Sequence, residues 1–355
     1  MITASLFVIV LLCLLVLAFE FINWFHDTAN AVATVVYTGS MKPRLAVMRS
    51  WFMNFLWVLL WWTAVAMSVI KLLPVASLQE HDFTIKVAYF LSVLTSAIIW
   101  NFYTRYRWLP SSSMHALVWA ILWVTAAYNM HEWLDRLNMP WHKLQDVFLS
   151  LLISPVIWFM WTLLVMWLLY QFFSKSRLFK NPTQEPPTIL TKALMIFACS
   201  AVSFAHGSND GQKWVWVMMA LLVTFLPAAF FVWRVPFWVI ATIATVIWVW
   251  SMIWWERIAK TIWEWIGKHK MTYAQWLTSE LIAALTIALS TFAWLPVSTT
   301  QVLSSWVAWW AVATGGIRDL QFATMKNMWL AWLLTLPCTI MLWYILYFFA
   351  NGYVK

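Results

Sequence analysis

Glycine is what this chain most conspicuously lacks: it has 7 in 355 residues, where average usage near 7% would give roughly 25. Charge is scarce too. Only 10% of residues are charged and 64% are hydrophobic, with a mean hydropathy of +0.76. No soluble domain conceals that much apolar surface, so the chain reads as a polytopic membrane protein. Cysteine is limited to Cys13, Cys199 and Cys338, each inside an apolar stretch. That pattern gives buried thiols and no disulfide framework. The first twenty residues have neither a basic start nor a small-residue cleavage site, and they read as a retained span. No His-Glu-x-x-His, Cys-x-x-Cys, Walker or nucleotide-binding glycine motif is present, which leaves metalloprotease and nucleotide-driven pump readings without support.

What the chain has in excess is tryptophan, 32 residues of it. Tryptophan usually belts the two membrane interfaces, but Trp57, Trp61, Trp123, Trp161, Trp248 and Trp309 fall within span interiors. Small residues usually let membrane helices approach closely. Here a bulky one stands in quantity where small ones are missing.

Taking roughly 20 apolar residues per crossing gives an all-α fold with about ten spans. An overlong segment over residues 2–40 contains a polar interruption, and spans follow at 50–73, 84–104, 110–129 and 147–172. The polar joint 174–192, with Asn181-Pro182 and Pro186-Pro187, divides the chain into halves 1–173 and 193–355. The second half repeats the order with an overlong segment at 193–231, then 236–255, 274–294, 296–316 and 328–349. Five spans per half is an odd number, so the halves cross in opposite directions. That is the inverted repeat of many secondary transporters, with broken or re-entrant helices expected at the centre.

Two pairs of polar motifs mark the repeat. His26-Asp27-Thr28-Ala29-Asn30 is echoed by His206-Gly207-Ser208-Asn209-Asp210-Gly211-Gln212-Lys213, with Asp27 and Asp210 separated by 183 residues. Pro110-Ser111-Ser112-Ser113-Met114-His115 is echoed by Pro296-Val297-Ser298-Thr299-Thr300-Gln301, with the prolines 186 apart. An intramembrane carboxylate is costly unless it faces protein, water or a counter-ion, so Asp27 and Asp210 are functional candidates by default. Asp27 and Asn30 are three apart and share a helix face, which lets two oxygens serve one cation. In the echo Asn209 and Asp210 are followed by Lys213, whose ammonium stands where a second cation would otherwise sit. That exchange favours coupling to protons over coupling to two sodium ions. A buried structural ion pair is the plainer alternative.

Proline followed by Ser and Thr starts a helix well, because Pro needs no partner for its missing N–H and hydroxyls cap the amides that follow. Begun in mid-membrane, such helices aim N–H groups at a cavity and form an oxyanion site. Ser112, Ser113, Ser298, Thr299 and Thr300 are the candidate anion ligands. Ordinary capping of membrane helices is the bland reading for any one of them. His26, His115 and His206 adjoin the motifs and are candidate proton relays, although any single one fits a hydrogen-bonded packing role as well. Glu20 and Glu280 are also intramembrane, and either carries a proton or pairs with a polar neighbour.

Lys and Arg set the orientation. With the N-terminus outside, the inner joints hold 15 of the 22 basic residues and the outer joints 6, Lys213 lying within a span. Both termini are therefore expected on the non-cytoplasmic face of a cell's inner membrane. The pI of 9.5 reflects that bias and gives no reason to invoke nucleic acid.

At these residues the chain resembles the inorganic phosphate transporter family, most of all its bacterial low-affinity Pit members. The resemblance rests on Phe25 to Thr34, Ala205 to Lys213, Pro110 to His115, Pro296 to Ser305 and Lys270-Met271-Thr272-Tyr273-Ala274-Gln275. It covers nearly the whole chain. It implies symport of inorganic phosphate as a neutral metal-phosphate complex, with a divalent cation such as magnesium travelling as cargo and no resident cofactor. Protons drive the bacterial members and sodium drives others. By the same resemblance Asp27, Asn30, Asp210 and the hydroxyls of both Ser/Thr motifs form the central site, and the assembly is left open between one chain and a homo-oligomer. Met114 stands where the family pattern has Ser and Gln301 where it has His. The joints at 174–192 and near 234 are short, and tryptophan stands for glycine at Trp24, Trp214, Trp216, Trp294, Trp306 and Trp309. An indole in place of a hydrogen is expected to displace its neighbours at a helix crossing. Two further readings follow: a folded membrane scaffold of the same architecture that does not transport, and a sodium-coupled symporter. A membrane enzyme acting on phosphate esters lacks a nucleophile paired with a base in one motif.

Overall fold

The computed structural model describes residues 2–60, 73–106, 113–131, 141–182, 185–207, 211–231, 235–246, 271–292 and 341, and for 2–4, 23–30, Ala33, 58–60, Arg105, His115, 127–128, 130–131 and parts of 141–159 it describes the backbone alone. Among the described residues the architecture is helical. The helices are α1 (Ile2–Tyr37), α2 (Pro43–Leu60), the short α3 (Val75–Glu80), α4 (Phe83–Tyr106), α5 (Ser113–His131) and α6 (Trp141–Phe173) in the first half. In the second half they are α7 (Ile189–His206), α8 (Gln212–Phe225), α9 (Phe237–Val246) and α10 (Tyr273–Phe292). The expected spans at 296–316 and 328–349 lie outside the described residues.

In hydrocarbon every backbone N–H and C=O must be satisfied within the chain, and only a helix does this segment by segment. Among the described residues three stretches are long and apolar enough to cross a membrane by themselves: Ser5–Ile22, Phe83–Thr104 and Ile189–His206. α1 has 36 residues, which at 1.5 Å per residue is about 54 Å, well beyond a 30 Å hydrocarbon core. It ends in a glycine turn. The Ser40 amide donates to the Val35 carbonyl at 2.9 Å and the Gly39 amide to Val36 at 3.1 Å, with Gly39 at φ +63°. This is the left-handed C-terminal stop that only glycine enters freely.

The first motif does not interrupt α1, which runs unbroken through His26-Asp27-Thr28-Ala29-Asn30. The interruption expected in the first half is therefore absent from the backbone. A short polar stretch does not break a helix whose own hydrogen bonds remain the cheapest ones available in an apolar medium. In the second half the overlong segment is two helices, α7 and α8, which end and begin at Gly207 and Gly211. α2 begins at Pro43, seven residues before the expected span, because Pro is well suited to a helix's first turn.

α1 is the hub, packing against α2, α4, α7, α8 and α10. Its N-terminal half, through Ile9, Leu12, Val16 and Phe19, joins the largest apolar cluster with α4, α5 and α8. Its C-terminal half, through Val32, Val35 and Val36, joins a second cluster with Met195, Ala198, Trp276 and Leu277. A third, with Ala31, Val202, Ala205 and Ala283, lies between α1, α7 and α10. Residues 23–30 of α1 thus fall between apolar seals on either side.

The joint between the halves is tied down. Thr188 caps α7 by accepting from the Thr191 amide at 3.1 Å, so the helix begins at Ile189 and not after 192. The Tyr273 hydroxyl donates to the Glu185 carbonyl at 2.7 Å, and the Tyr273 amide donates to Lys180 at 3.2 Å. α10 opens with a reciprocal cap, in which the Thr272 amide donates to Gln275 Oε1 at 2.8 Å and the Gln275 amide to Thr272 Oγ1 at 3.4 Å. The Thr-x-x-Gln spacing is what that cap requires. The Lys180–Glu185 ion pair, 3.5 Å and about half exposed, adds little.

Candidate functional site

The site is built on α1. At 100° per residue, Glu20, Asn23, Asp27, Asn30 and Thr34 fall within an arc of about 80° on one face of this helix, and Thr38 follows in the turn at its end. α1 therefore carries one polar stripe, and the first motif is its middle. Both ends of the stripe are sealed. Glu20 is fully buried, Thr34 and Thr38 are each 1% exposed, and Thr38 Oγ1 donates to the Thr34 carbonyl at 2.7 Å.

Thr34 also joins the halves, because its hydroxyl donates to Glu280 Oε1 on α10 across 246 positions of sequence. Glu280 is 3% exposed, and its Oε2 accepts no hydrogen bond among the described residues. Thr34→Val keeps the shape and removes the donor, so it is expected to cost about 0.6–2 kcal/mol, the span of values for polar contacts between membrane helices. Replacing both partners, as Thr34→Val with Glu280→Leu, should recover part of that loss because no buried acceptor is left behind. Thermal melting of the two variants in detergent checks both expectations. A double variant melting below the single one would contradict them.

The second motif begins where α7 meets α2. Arg49 Nε donates to Ser200 Oγ at 2.7 Å and Ser203 Oγ donates to Ser50 Oγ at 2.8 Å. One turn further, Gly207 meets Asn54: a Cβ on Gly207 would lie 2.8 Å from the Asn54 carbonyl oxygen and 2.9 Å from its Cα. This is a close helix approach in which polar and small residues replace side-chain packing. Nothing in the sequence singled out Ser50, Asn54, Ser200 or Ser203. The available signal was their matched spacing, Ser50 to Asn54 and Ser203 to Gly207, each four apart, with one of the few glycines at the end.

Of the expected site residues, Asp27, Asn30 and His26 sit on α1 with only their backbone described. Ser113 is the first residue of α5 and is partly buried. His115 lies in the first turn of α5 with only its backbone described. His206 closes α7 at 2% exposure, and Lys213 lies in the first turn of α8 at 3%. Ser112, Asn209, Asp210, Ser298, Thr299 and Thr300 lie outside the described residues. A buried ammonium at a helix N-terminus is doubly unfavourable, in desolvation and against the helix dipole, so Lys213 calls for an anionic neighbour. Among the described residues no three His, Cys, Asp or Glu side chains converge as a metal site.

Two of the indoles expected to displace their neighbours, Trp214 and Trp216, are accommodated, and the side chains of Trp24, Trp294, Trp306 and Trp309 lie outside what is described. Trp214 and Trp216 are 1% and 2% exposed within the largest cluster, and Trp214 packs on Phe19 at 4.3 Å between ring centroids. The Trp214 Nε1 finds no acceptor among the described residues, which is the cost of placing an indole there.

The chain is similar to known proteins along almost its whole length. A low-affinity inorganic phosphate transporter of Buchnera aphidicola subsp. Schizaphis graminum is 30% identical over 99% of this chain and 97% of its own. That alignment runs over 484 positions against the 355 residues here, so the relative carries insertions that this chain lacks. The low-affinity inorganic phosphate transporter PitA of Escherichia coli K12 is 29% identical over 94% of this chain and 95% of its own. A solved structure described as the sodium-dependent phosphate transporter superposes with a TM-score of 0.74 at 18% identity, covering 97% of this chain and 99% of that one. That likeness supports the helical fold. Residues 23–342 match the phosphate transporter family, and with nine-tenths of its length inside that match the chain belongs to this family of membrane carriers, which are not enzymes.

Proposed function

We propose that the protein is a secondary carrier that moves inorganic phosphate, together with a coupling cation, by alternating access. Asp27, Asn30, Asn209, Asp210 and Lys213 set the charge and the coupling. Ser112, Ser113, Ser298, Thr299 and Thr300 hold the phosphate, and His26, His115 and His206 are candidate proton relays. The observation that carries this reading is the position of the first motif. It lies in the last third of the hub helix, between one apolar cluster toward the N-terminus and others toward the C-terminus. A carrier needs a polar site with a separately packed seal on each side, so that one can open while the other stays shut.

The coupling ion proposed is the proton, because Lys213 occupies the place that Asn30 holds in the first half. Sodium is the second reading, supported by the description of the similar solved structure as sodium-dependent. The cargo is phosphate alone or its complex with a divalent cation such as magnesium. The proposed location is a bacterial inner membrane, with both termini on its outer face.

The deciding experiment is uptake of labelled phosphate into proteoliposomes, with an inward proton gradient, with an inward sodium gradient and with neither, magnesium being present throughout. In an electroneutral cycle one pH unit is worth about 1.4 kcal/mol per proton, a roughly tenfold accumulation. Accumulation under the proton gradient alone is expected. Accumulation only under sodium would replace the coupling ion, and binding of phosphate without flux under any gradient would leave an inert scaffold.

A further inference from the structure

Arg49 is a charged residue in the body of α2, and it stands on the outer face of that helix. Leu45, Met48, Arg49 and Phe52 fall within an arc of about 100° at 100° per residue, and all four are exposed. α7 runs alongside in the same direction, because Ser50 meets Ser203 and, one turn on, Asn54 meets Gly207. On α7 the exposed Phe197 stands one turn before Ser200. Arg49 Nε donates to Ser200 Oγ at 2.7 Å, so the guanidinium lies across the seam between the two helices. Ser200 Oγ in turn donates to the Ile196 carbonyl at 2.6 Å, which makes the anchor a fixed one.

The cation is in an unusual place. Ser200 is eleven residues beyond Ile189, about 16 Å along α7, and it lies inside Ile189–His206, a stretch apolar enough to cross a membrane. A charge at that level needs a counter-ion or water. No carboxylate pairs with Arg49 among the described residues, where the ion pair found is Lys180–Glu185. The sequence offers none nearby either, since no acidic residue occurs between Asp27 and Glu80 or between Glu185 and Asp210. A water-filled vestibule would be lined by polar groups, whereas Leu45, Met48, Phe52 and Phe197 are apolar and 41–62% exposed. Snorkelling alone does not account for the geometry: a free head extends along its helix toward water, and this one is held sideways on α7.

We propose that Arg49 holds the phosphodiester of an anionic phospholipid in the groove between α2 and α7. The anchor to Ser200 uses Nε and leaves both terminal amino groups of the guanidinium without a protein partner among the described residues. Those groups form the planar fork that meets two phosphate oxygens at once. The exposed Lys42, Arg44 and Lys192 lie at the end where α2 and α7 both begin, so a headgroup with net negative charge is favoured over a zwitterionic one. A free phosphate ion would leave Leu45, Met48, Phe52 and Phe197 uncovered, and a lipid brings the acyl chains that cover them. Such a lipid braces the crossing of α2 with α7, where the second motif begins. The inference is independent of the proposed transport cycle.

The test uses purified, delipidated protein in detergent. Dioleoyl phosphatidylglycerol, dioleoyl phosphatidylcholine and, as a headgroup without chains, glycerol 3-phosphate are titrated in separate arms. Lipid retention is read by native mass spectrometry and stability by thermal melting. The wild type should retain phosphatidylglycerol in preference to phosphatidylcholine and melt higher with it, and glycerol 3-phosphate should not reproduce the rise. Arg49→Gln keeps an amide donor for Ser200 and removes the charge. It should need at least roughly tenfold more phosphatidylglycerol for the same rise, the scale of losing hydrogen bonds to a charged group, with its response to phosphatidylcholine unchanged.

Equal retention of the two lipids by the wild type overturns the proposal, because the surface then reads only acyl chains. A preference that Arg49→Gln leaves intact belongs to the basic rim at large and also overturns it. Stabilisation by glycerol 3-phosphate as strong as that by phosphatidylglycerol, and lost in Arg49→Gln, would assign the guanidinium to a soluble anion instead. If Arg49→Gln does not fold, Arg49→Lys decides: it keeps the charge without the fork, and should need at least roughly threefold more phosphatidylglycerol. No change there is equally fatal. None of these readouts depends on phosphate uptake, so a protein that binds the lipid and carries nothing would sink the carrier reading and leave the lipid site standing.

Discussion

Gly207→Ala is expected to yield a protein that melts several degrees lower than the wild type, or fails to accumulate, although it adds a single methyl group. The methyl carbon would arrive 2.8 Å from the Asn54 carbonyl oxygen and 2.9 Å from its Cα. Both are backbone atoms in the body of α2, so no side-chain rotation relieves the contact and the helices must separate. Separation stretches the two bonds one and two turns away, Ser203 to Ser50 at 2.8 Å and Arg49 to Ser200 at 2.7 Å. Overpacking alone costs about 1–3 kcal/mol where neighbours cannot move, and loss of either hydrogen bond adds to it. Gly39→Ala offers the contrast. Nothing lies within 4 Å of a Cβ there, and the penalty is only the left-handed backbone at φ +63°, about 1–2 kcal/mol. Thermal melting of both variants, with size-exclusion profiles, checks the ordering. A Gly207→Ala protein that melts with the wild type would show that α2 and α7 are not close-packed at this point.

The two glycines also show where the sequence is informative. Gly39 follows an apolar run and precedes Ser-Met-Lys-Pro, so a helix stop there is local and legible. Gly207 acts on a residue more than 150 positions away in the chain, and that pairing is not written in either segment. The same division runs through the rest of the molecule. α4, α5 and α10 fall within a few residues of the expected spans because apolar length and a Pro-Ser or Thr-x-x-Gln start are local signals. The short helix Val75–Glu80 sits in what read as a joint, because six residues carry too little periodicity to register.

The polar residues divide in the same way. Asp27, Asn30 and Lys213 stood out because charge and amide groups are rare in apolar spans. Ser50, Ser203 and Asn54 did not, since one hydroxyl or amide in an apolar helix most often bonds its own preceding turn. Only the crossing of α2 with α7 turns them into a set. Trp214 and Trp216 fit for a related reason. The size of the indole relative to a hydrogen does not decide the matter; what decides it is whether Phe19 and the clustered side chains of α1 and α8 leave room.

Asp27→Asn and Asp210→Asn are expected to lose phosphate uptake by at least roughly a hundredfold, which is about 2.7 kcal/mol of barrier, without loss of the folded protein. The two halves of that expectation come from the same physics. An aspartate in an apolar helix is costly, by up to about 2.5–3.5 kcal/mol at the centre of a span on insertion scales, so exchanging it for a neutral amide of equal shape should leave the melting temperature unchanged or raise it. The stripe on α1 makes the case strongest for Asp27, because Glu20 and Thr34 seal its two ends in buried surroundings and packing does not require a charge between them. If the charge is not there for stability, what remains is its use: it attracts the coupling cation, and it balances the anion while neither seal is open. Asparagine keeps the oxygen but not the charge, so phosphate should still be able to reach the site while coupled movement stops. Asp210→Asn adds a second consequence, since it removes a candidate counter-ion for the buried Lys213, and it should therefore be the less stable of the two. Uptake into proteoliposomes, beside melting and phosphate binding on the same preparations, separates these effects. Full uptake in either folded variant would remove that aspartate from the coupling machinery, and a collapse in stability of Asp27→Asn would return it to the role of a structural ion pair.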